Sequence, residues 1–286
     1  MNPKDLGELL AEPRIARRVS VENLMLVSLG LRMCSQTTIP AELPSGEAMG
    51  AAIDARFKPQ MERLRAIQDQ KMKIKAIGEI RKGMASAFEE VVEGSPDYKA
   101  LASWAKRLGL KVNQVEVRPT VHEVYLYRER DTLKELQRLT QERGKLRVEA
   151  VKRPEPSRGQ LQFAYPEEFN GPWIRRMGRL LGYPDCCVDR YASDREQGIN
   201  VEERAATQLK ELQGEPDPHT YLASYFFPCT PTCEKAKARG ELYHSKLSEA
   251  LPEAGEAYEA IIRENLERVR RQPEIIGEYL SRIRGA

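Results

Sequence analysis

Val112-Asn113-Gln114-Val115-Glu116-Val117, the turn Arg118-Pro119-Thr120 and the run from Val121 to Arg128 (VHEVYLYR) decide the fold. β-Branched and aromatic residues recur on both sides of a proline-containing reversal, which predicts two strands joined by a short turn. Beyond them, Asp131 caps a short helix carrying Leu133, Leu136 and Leu139, closed by Gly144. Leu146, Val148 and Ala150 alternate with Arg147 and Glu149 as a further strand. Strand, helix and strand within about 30 residues predict a right-handed βαβ unit. Residues 152–159 (KRPEPSRG) read as an exposed loop, and Gln160 to Tyr165 as one more strand.

On either side of this centre the period becomes helical. Ser20 can cap a helix with Val21, Leu24, Met25, Leu29 and Met33 on its apolar side, followed by a loop over 37–46. A long helical pattern then runs from Phe57 to Val91. Ser95-Pro96-Asp97 reads as an N-cap followed by a proline at the first helical position, and Gly109 as the stop. Trp173, Ile174, Met177, Leu180 and Leu181 form one side of a helix ending at Gly182, and residues 231–283 are largely helical. The expected fold class is α+β and predominantly helical. An N-terminal helical region spans 1–109, and an α/β plus helical domain with the cysteines spans 110–286.

The 286 residues are 41% hydrophobic and 31% charged, with ordinary glycine and proline content, which excludes collagen-like and low-complexity chains. A net charge of +3 does not by itself imply a nucleic-acid partner. The polar N-terminus has no apolar core of a signal peptide. The apolar-leaning run Val21–Met33 is too short and too polar to span a membrane, so the expectation is a cytoplasmic protein without membrane contact.

Five cysteines in this length are no disulfide scaffold. Cys34 stands alone, while Cys186, Cys187, Cys229 and Cys233 fall within 48 residues. One segment reads Gly182-Tyr183-Pro184-Asp185-Cys186-Cys187-Val188-Asp189, the other Phe227-Pro228-Cys229-Thr230-Pro231-Thr232-Cys233-Glu234. Each places Pro-x-Cys at a predicted helix start, with Cys186 and Cys233 at the third helical position and Thr230 as an N-cap. There, free backbone N–H groups and the helix dipole favour thiolate over thiol. Four thiolates around one centre suit tetrahedral zinc or an iron–sulfur cluster. Neighbours on a helix point about 100° apart, so Cys186 and Cys187 are expected not to bind one ion easily, which would leave three ligands and an open position. The alternative is that the cysteines are small buried hydrophobes.

Arg179-Leu180-Leu181-Gly182-Tyr183-Pro184-Asp185-Cys186-Cys187-Val188, followed by Phe227 to Glu234, resembles the uncharacterised prokaryotic DUF 483 family. That family pairs a Gly-Tyr-Pro-x-Cys-Cys element with a downstream Pro-Cys-x-Pro-x-Cys element. The resemblance covers roughly residues 120–250. It implies that Cys186, Cys187, Cys229 and Cys233 act together, and it names neither metal nor reaction.

Among other candidates, His219 lies ten residues before Cys229, whereas His122 reads as structural and His244 as too far along its helix to share an ion. Asp185 and Cys187 are the catalytic candidates, Asp185 to accept a proton or orient a ligand and Cys187 as a fourth ligand or reactive thiol. Arg175, Arg176 and Arg179 either face solvent or add positive potential. Residues 56–82 carry nine basic and three acidic residues, a face that could dock on RNA or DNA or simply be solvated. No Walker loop, Gly-x-Gly-x-x-Gly, His-Glu-x-x-His or Gly-x-Ser-x-Gly occurs. Three functions follow. The first is a metalloprotein with an iron–sulfur cluster or zinc and a catalytic or sulfur-handling role. The second is a metal-free thiol–disulfide protein, and the third an RNA- or DNA-binding module with a structural zinc.

Overall fold

In the computed structural model, residues 2–159 and 161–284 are described. The chain forms two compact units, one of Glu8–Ser28 and Ser35–Arg128, the other of Met1–Gly7, Leu29–Cys34 and Glu129–Ala286. The fold is α+β and predominantly helical. No helix of the described residues is long and apolar enough to cross a membrane.

The chain opens with α1 (Pro3–Leu10), and a π-helical segment, Val19–Met25, runs into α2 (Leu26–Ser28). The first unit holds a three-stranded sheet. β1 (Cys34–Ile39) flanks β3 (Val121–Tyr127), which lies between it and β2 (Lys111–Arg118). β2 and β3 are antiparallel, with Lys111 opposite Tyr127, Val115 opposite Glu123 and an irregularity between Glu116 and Arg118. The expected turn at Arg118-Pro119-Thr120 is therefore real. β1 was expected as helix end and loop; its polar Ser35 and Thr37 are buried, which disguises it as a turn.

Two long helices, α3 (Gly46–Ala66) and α4 (Gln70–Phe88), replace the single long helical pattern. The break falls at 67–69, where Asp69 caps α4 by accepting the Met72 N–H at 2.8 Å. The pair meets at Phe57 and Gly83, where a Cβ on the glycine would lie 2.8 Å from the ring. α5 (Pro96–Arg107) starts as its sequence predicts: Ser95 accepts the Tyr98 N–H at 3.1 Å, Pro96 opens the helix, and Gly109 beyond it has φ +70°.

The second unit contains α6 (Arg130–Lys152), α7 (Leu161–Ala164), α8 (Gly171–Leu180) and α9 (Asp185–Glu196). It continues with α10 (Val201–Glu211), α11 (Glu234–Ala250), α12 (Pro252–Arg270) and α13 (Gln272–Arg284). The βαβ unit is corrected here. Gly144 and the alternating Leu146–Ala150 stretch are both inside α6, whose buried residues Thr132, Leu136, Leu139 and Arg143 follow at helical intervals. Arg143 fills the core position where the pattern looks broken. It pairs with buried Glu167 at 3.0 Å and lies over the Trp173 ring. Val148 is exposed, so the alternation of Leu146, Val148 and Ala150 reports no sheet face. The expected strand over 160–165 is α7 from Leu161 on; Gln160 lies outside the described residues.

Val201, Ala205, Tyr221, Phe227, Leu266 and Val269 form a buried cluster between α10, α12 and the 221–227 loop. Buried Asn265 organises that loop. Its amide donates to Tyr221 O at 3.3 Å and Phe226 O at 3.1 Å, and its carbonyl accepts the Tyr225 N–H at 3.1 Å. Tyr225 has φ +61°, a left-handed conformation costly for a residue with a Cβ, and the Asn265 bond holds it there. The Tyr258 hydroxyl donates to Leu222 O at 2.8 Å.

Candidate metal centre

The two cysteine segments meet. One ligand atom from each of Cys186, Cys187, Cys229 and Cys233 lies within 4.8 Å of all the others, and the four could hold a metal ion. The Cys186 and Cys187 sulfurs are 3.9 Å apart, and each is 3.6 Å from the Cys233 sulfur. Cys187 and Cys233 are buried, at 2% and 7% exposure.

Local structure explains how neighbours in sequence reach one point. Pro184 is the N-cap of α9, so Cys186 and Cys187 are its second and third residues, one turn position earlier than expected for Cys186. At a helix start the side chains are not yet enclosed by a preceding turn, and both can bend toward the axis end. Cys233 is likewise the N-cap of α11, not its third residue. The cause is the Thr230-Pro231-Thr232 turn, closed by the Cys233 N–H donating to Thr230 O at 3.2 Å. The Cys229 N–H donates to the Cys187 sulfur at 3.4 Å.

Surrounding groups fix each segment. Gly182, at φ +81°, turns the chain between α8 and α9. Its carbonyl accepts from Arg239 Nη1 at 3.0 Å and from the Tyr243 hydroxyl at 3.5 Å, both on α11. Arg32 Nε donates to Leu181 O at 2.7 Å, and Tyr183 packs on Phe226 with ring centres 5.0 Å apart. On the other side, Arg204 Nη1 donates to Pro228 O at 3.1 Å and to Cys229 O at 3.3 Å. Gln208 also donates to Cys229 O, at 3.3 Å. Arg204 is anchored by Asp194 at 2.7 Å, with side-chain exposures of 9% and 2%. Asp194 also takes Arg190 at 2.9 Å. Sequence reasoning missed this brace; Arg204 and Asp194 look like surface residues of charged helices until their burial is known.

Electrostatics differ among the sulfurs. Burial pushes the Cys187 thiol well up, despite the hydrogen bond from Cys229. Burial also dominates at Cys229, pushed up to about 11. For Cys233 burial acts in the same direction but is outweighed. The Ala236 backbone N–H, then hydrogen bonds from Cys229, Cys186 and Cys187, hold it below the usual thiol value. One lowered sulfur beside two that burial keeps as thiols makes a site that gains most when a cation displaces those protons.

The other candidates make contacts of their own. Asp185, largely exposed, pairs with Arg179 at 2.9 Å in the first turn of α9. Arg175 pairs with Asp189 and Glu196, and Arg176 with Glu135 and Glu142, so these arginines are engaged in surface ion pairs. His219 is not among the grouped ligands; its ring lies between Asp217 at 3.0 Å and Glu259 at 3.3 Å and against the His244 ring. His122 stacks on Phe88 at 3.9 Å and contacts Gln114. Cys34 is buried, with its sulfur 3.5 Å from Leu180 O, and burial pushes its thiol up to about 12.

A family model described as "Protein of unknown function (DUF483)" matches residues 170–252, a stretch that contains both cysteine segments. The chain is similar to that family over this region, which is narrower than the 120–250 expected. No curated protein and no solved structure matches the chain.

Proposed function

We propose that this is a zinc-binding protein whose four cysteines hold a single ion in a closed tetrahedral site. The observation that carries the reading is the spacing of the sulfurs. Four thiolates at about 2.3 Å from one zinc lie about 3.8 Å from one another, and the three pairs among Cys186, Cys187 and Cys233 are 3.6 to 3.9 Å apart. A four-iron cluster caps each iron with a different thiolate and spreads them to roughly 6 Å, beyond the 4.8 Å that contains all four sulfurs. Zinc therefore fits where a four-iron cluster would require the two segments to part.

Full occupation by cysteine makes the role structural: the ion ties the start of α9 to the start of α11. Cys187, buried and with its thiol pushed up, acts as a ligand in this reading rather than a nucleophile. A metal-free redox pair is less well supported, because that chemistry needs an accessible low-pKa thiol.

Metal analysis of protein purified without oxygen tests the proposal. One zinc per chain is expected, lost on changing Cys187 or Cys233 to serine. Cobalt in its place should give the intense visible bands of a tetrahedral thiolate site. Iron with acid-labile sulfide and a broad band in the visible would overturn it.

A further inference from the structure

The four sulfur ligands differ in their access to solvent. Cys187 and Cys233 are buried, whereas Cys186 and Cys229 are half-buried. The chain around these last two also differs. Cys229 follows three buried residues, Phe226, Phe227 and Pro228. Its N–H donates inward to the Cys187 sulfur, and its carbonyl is covered by Arg204 and Gln208. Cys186 follows Asp185, whose side chain is 66% exposed, at the open start of α9. A small molecule arriving from solvent therefore meets Cys186 first.

Coordination makes that access matter. A thiol bound to a metal ion is deprotonated outright, and the thiolate is the form that oxidants attack. With zinc in place all four sulfurs are thiolates, so access is what separates them. Geometry then selects the partner. A Cys186–Cys187 disulfide would join residues whose Cα atoms stand about 3.8 Å apart across a trans peptide, closer than the roughly 4.4–6.8 Å that disulfides span. Cys233 comes from the start of another helix, and its sulfur is 3.6 Å from that of Cys186. An approach of about 1.6 Å would bring the two to bonding distance.

We infer that the cysteine centre is a peroxide-operated switch, in which Cys186 is oxidised, Cys233 captures it as a disulfide and the zinc is discharged. The inference rests on the zinc reading above. The oxidant is hydrogen peroxide. The Cys186 thiolate attacks one peroxide oxygen, the O–O bond breaks and hydroxide leaves. Cys186 becomes a sulfenic acid, two electrons having passed to the peroxide. The Cys233 thiolate then attacks the Cys186 sulfur, the S–O bond breaks, a second hydroxide leaves and the S–S bond forms. Cys187 and Cys229 remain, and two thiolates do not make a zinc site. The new bond keeps the start of α9 tied to the start of α11, while Cys229 loses its anchor. Residues 222–229, with the left-handed turn at Tyr225, are the part set free.

The test treats zinc-bound protein, purified without oxygen, with hydrogen peroxide and follows the metal with a colorimetric chelator. One zinc per chain should be released as two thiols are lost. Peptide mapping under non-reducing conditions should find the Cys186–Cys233 bond, and dimedone added with the peroxide should mark Cys186. Hydrogen exchange should quicken over residues 222–229 and not in the first turns of α9 and α11. Dithiothreitol with zinc should restore both metal and thiols. Untreated protein that holds no zinc would overturn the zinc reading and the switch together. Zinc that stays bound in excess peroxide, dimedone on Cys229 in place of Cys186, a disulfide between another pair, unchanged exchange over 222–229 or a loss that the reductant does not reverse would overturn the switch alone.

Discussion

Asp194→Asn puts the strongest demand on the outer brace of the cysteine centre. The substitution keeps the shape of the side chain and removes the charge that faces Arg204 at 2.7 Å and Arg190 at 2.9 Å. Arg190 is exposed, and its share is expected to be below about 1 kcal/mol. Arg204 is nearly enclosed, and burial already pulls its guanidinium below the usual value. Leaving that cation without its anion should cost about 3–5 kcal/mol of stability. The loss should also reach the metal, because the same guanidinium holds the carbonyls of Pro228 and Cys229. Loss of an outer-shell partner typically lowers metal affinity about 10- to 100-fold, equivalent to about 1.4–2.7 kcal/mol. Urea unfolding with and without zinc, beside a competitive zinc titration, measures both quantities. Replacing Asp194 and Arg204 together by leucine and methionine should recover stability without recovering zinc affinity. A variant destabilised as expected but with unchanged zinc affinity would refute the brace, and an unchanged stability would refute the burial argument beneath it.

Zinc affinity should rise with pH. With the Cys187 and Cys229 thiols pushed up, both carry protons at neutral pH in the metal-free chain, so binding expels at least two. The apparent affinity should then increase at least about a hundredfold per pH unit between about pH 6 and 8 and fall correspondingly on acidification, as a titration against a pH-matched chelator would record. Gly240→Ala should destabilise the second unit by about 1–3 kcal/mol, because the new Cβ overlaps the His219 carbonyl oxygen and α11 must shift; thermal unfolding reads this directly. Asn265→Ala should cost about 2–4 kcal/mol, since it strands the carbonyls of Tyr221 and Phe226 and the N–H of Tyr225. Denaturant unfolding within 0.5 kcal/mol of the unsubstituted protein would contradict that role.

The parts of the fold legible in the sequence are those where local signals and burial coincide. Ser95, Pro96 and Gly109 delimit α5, and Val124–Tyr127 is the buried part of the central strand because its residues are both β-formers and apolar. The misreadings fall where polar residues occupy core positions. Arg143, paired with Glu167, interrupts the apolar stripe of α6 and makes one helix look like a helix and a strand. Buried Ser35 and Thr37 conceal β1 in the same way. At the site, the two Pro-x-Cys segments single out the four residues brought together, and the family resemblance implies that all four act as one group, whereas helix geometry alone favours three. Their positions in the helices were less legible: Cys233 caps α11 because a turn at Thr230 to Cys233 delays its start. The support from Arg204 and Asp194 depends on contacts distant in the chain and has no local signature.

The sulfurs of Cys187 and Cys229 are supplied by residues 42 positions apart. An ion gripping both would close the intervening chain into a ring. For a loop of that length, the lost freedom of the unfolded chain corresponds to about 4 kcal/mol in the loop-closure picture used for disulfides. Within that ring lie most of α9, all of α10 and the strained turn at Tyr225. In a reducing compartment, where a disulfide would not persist, such an ion would serve as a reversible cross-link. Its removal would loosen this ring in particular, making the order of residues 188–228 a direct readout of metal supply.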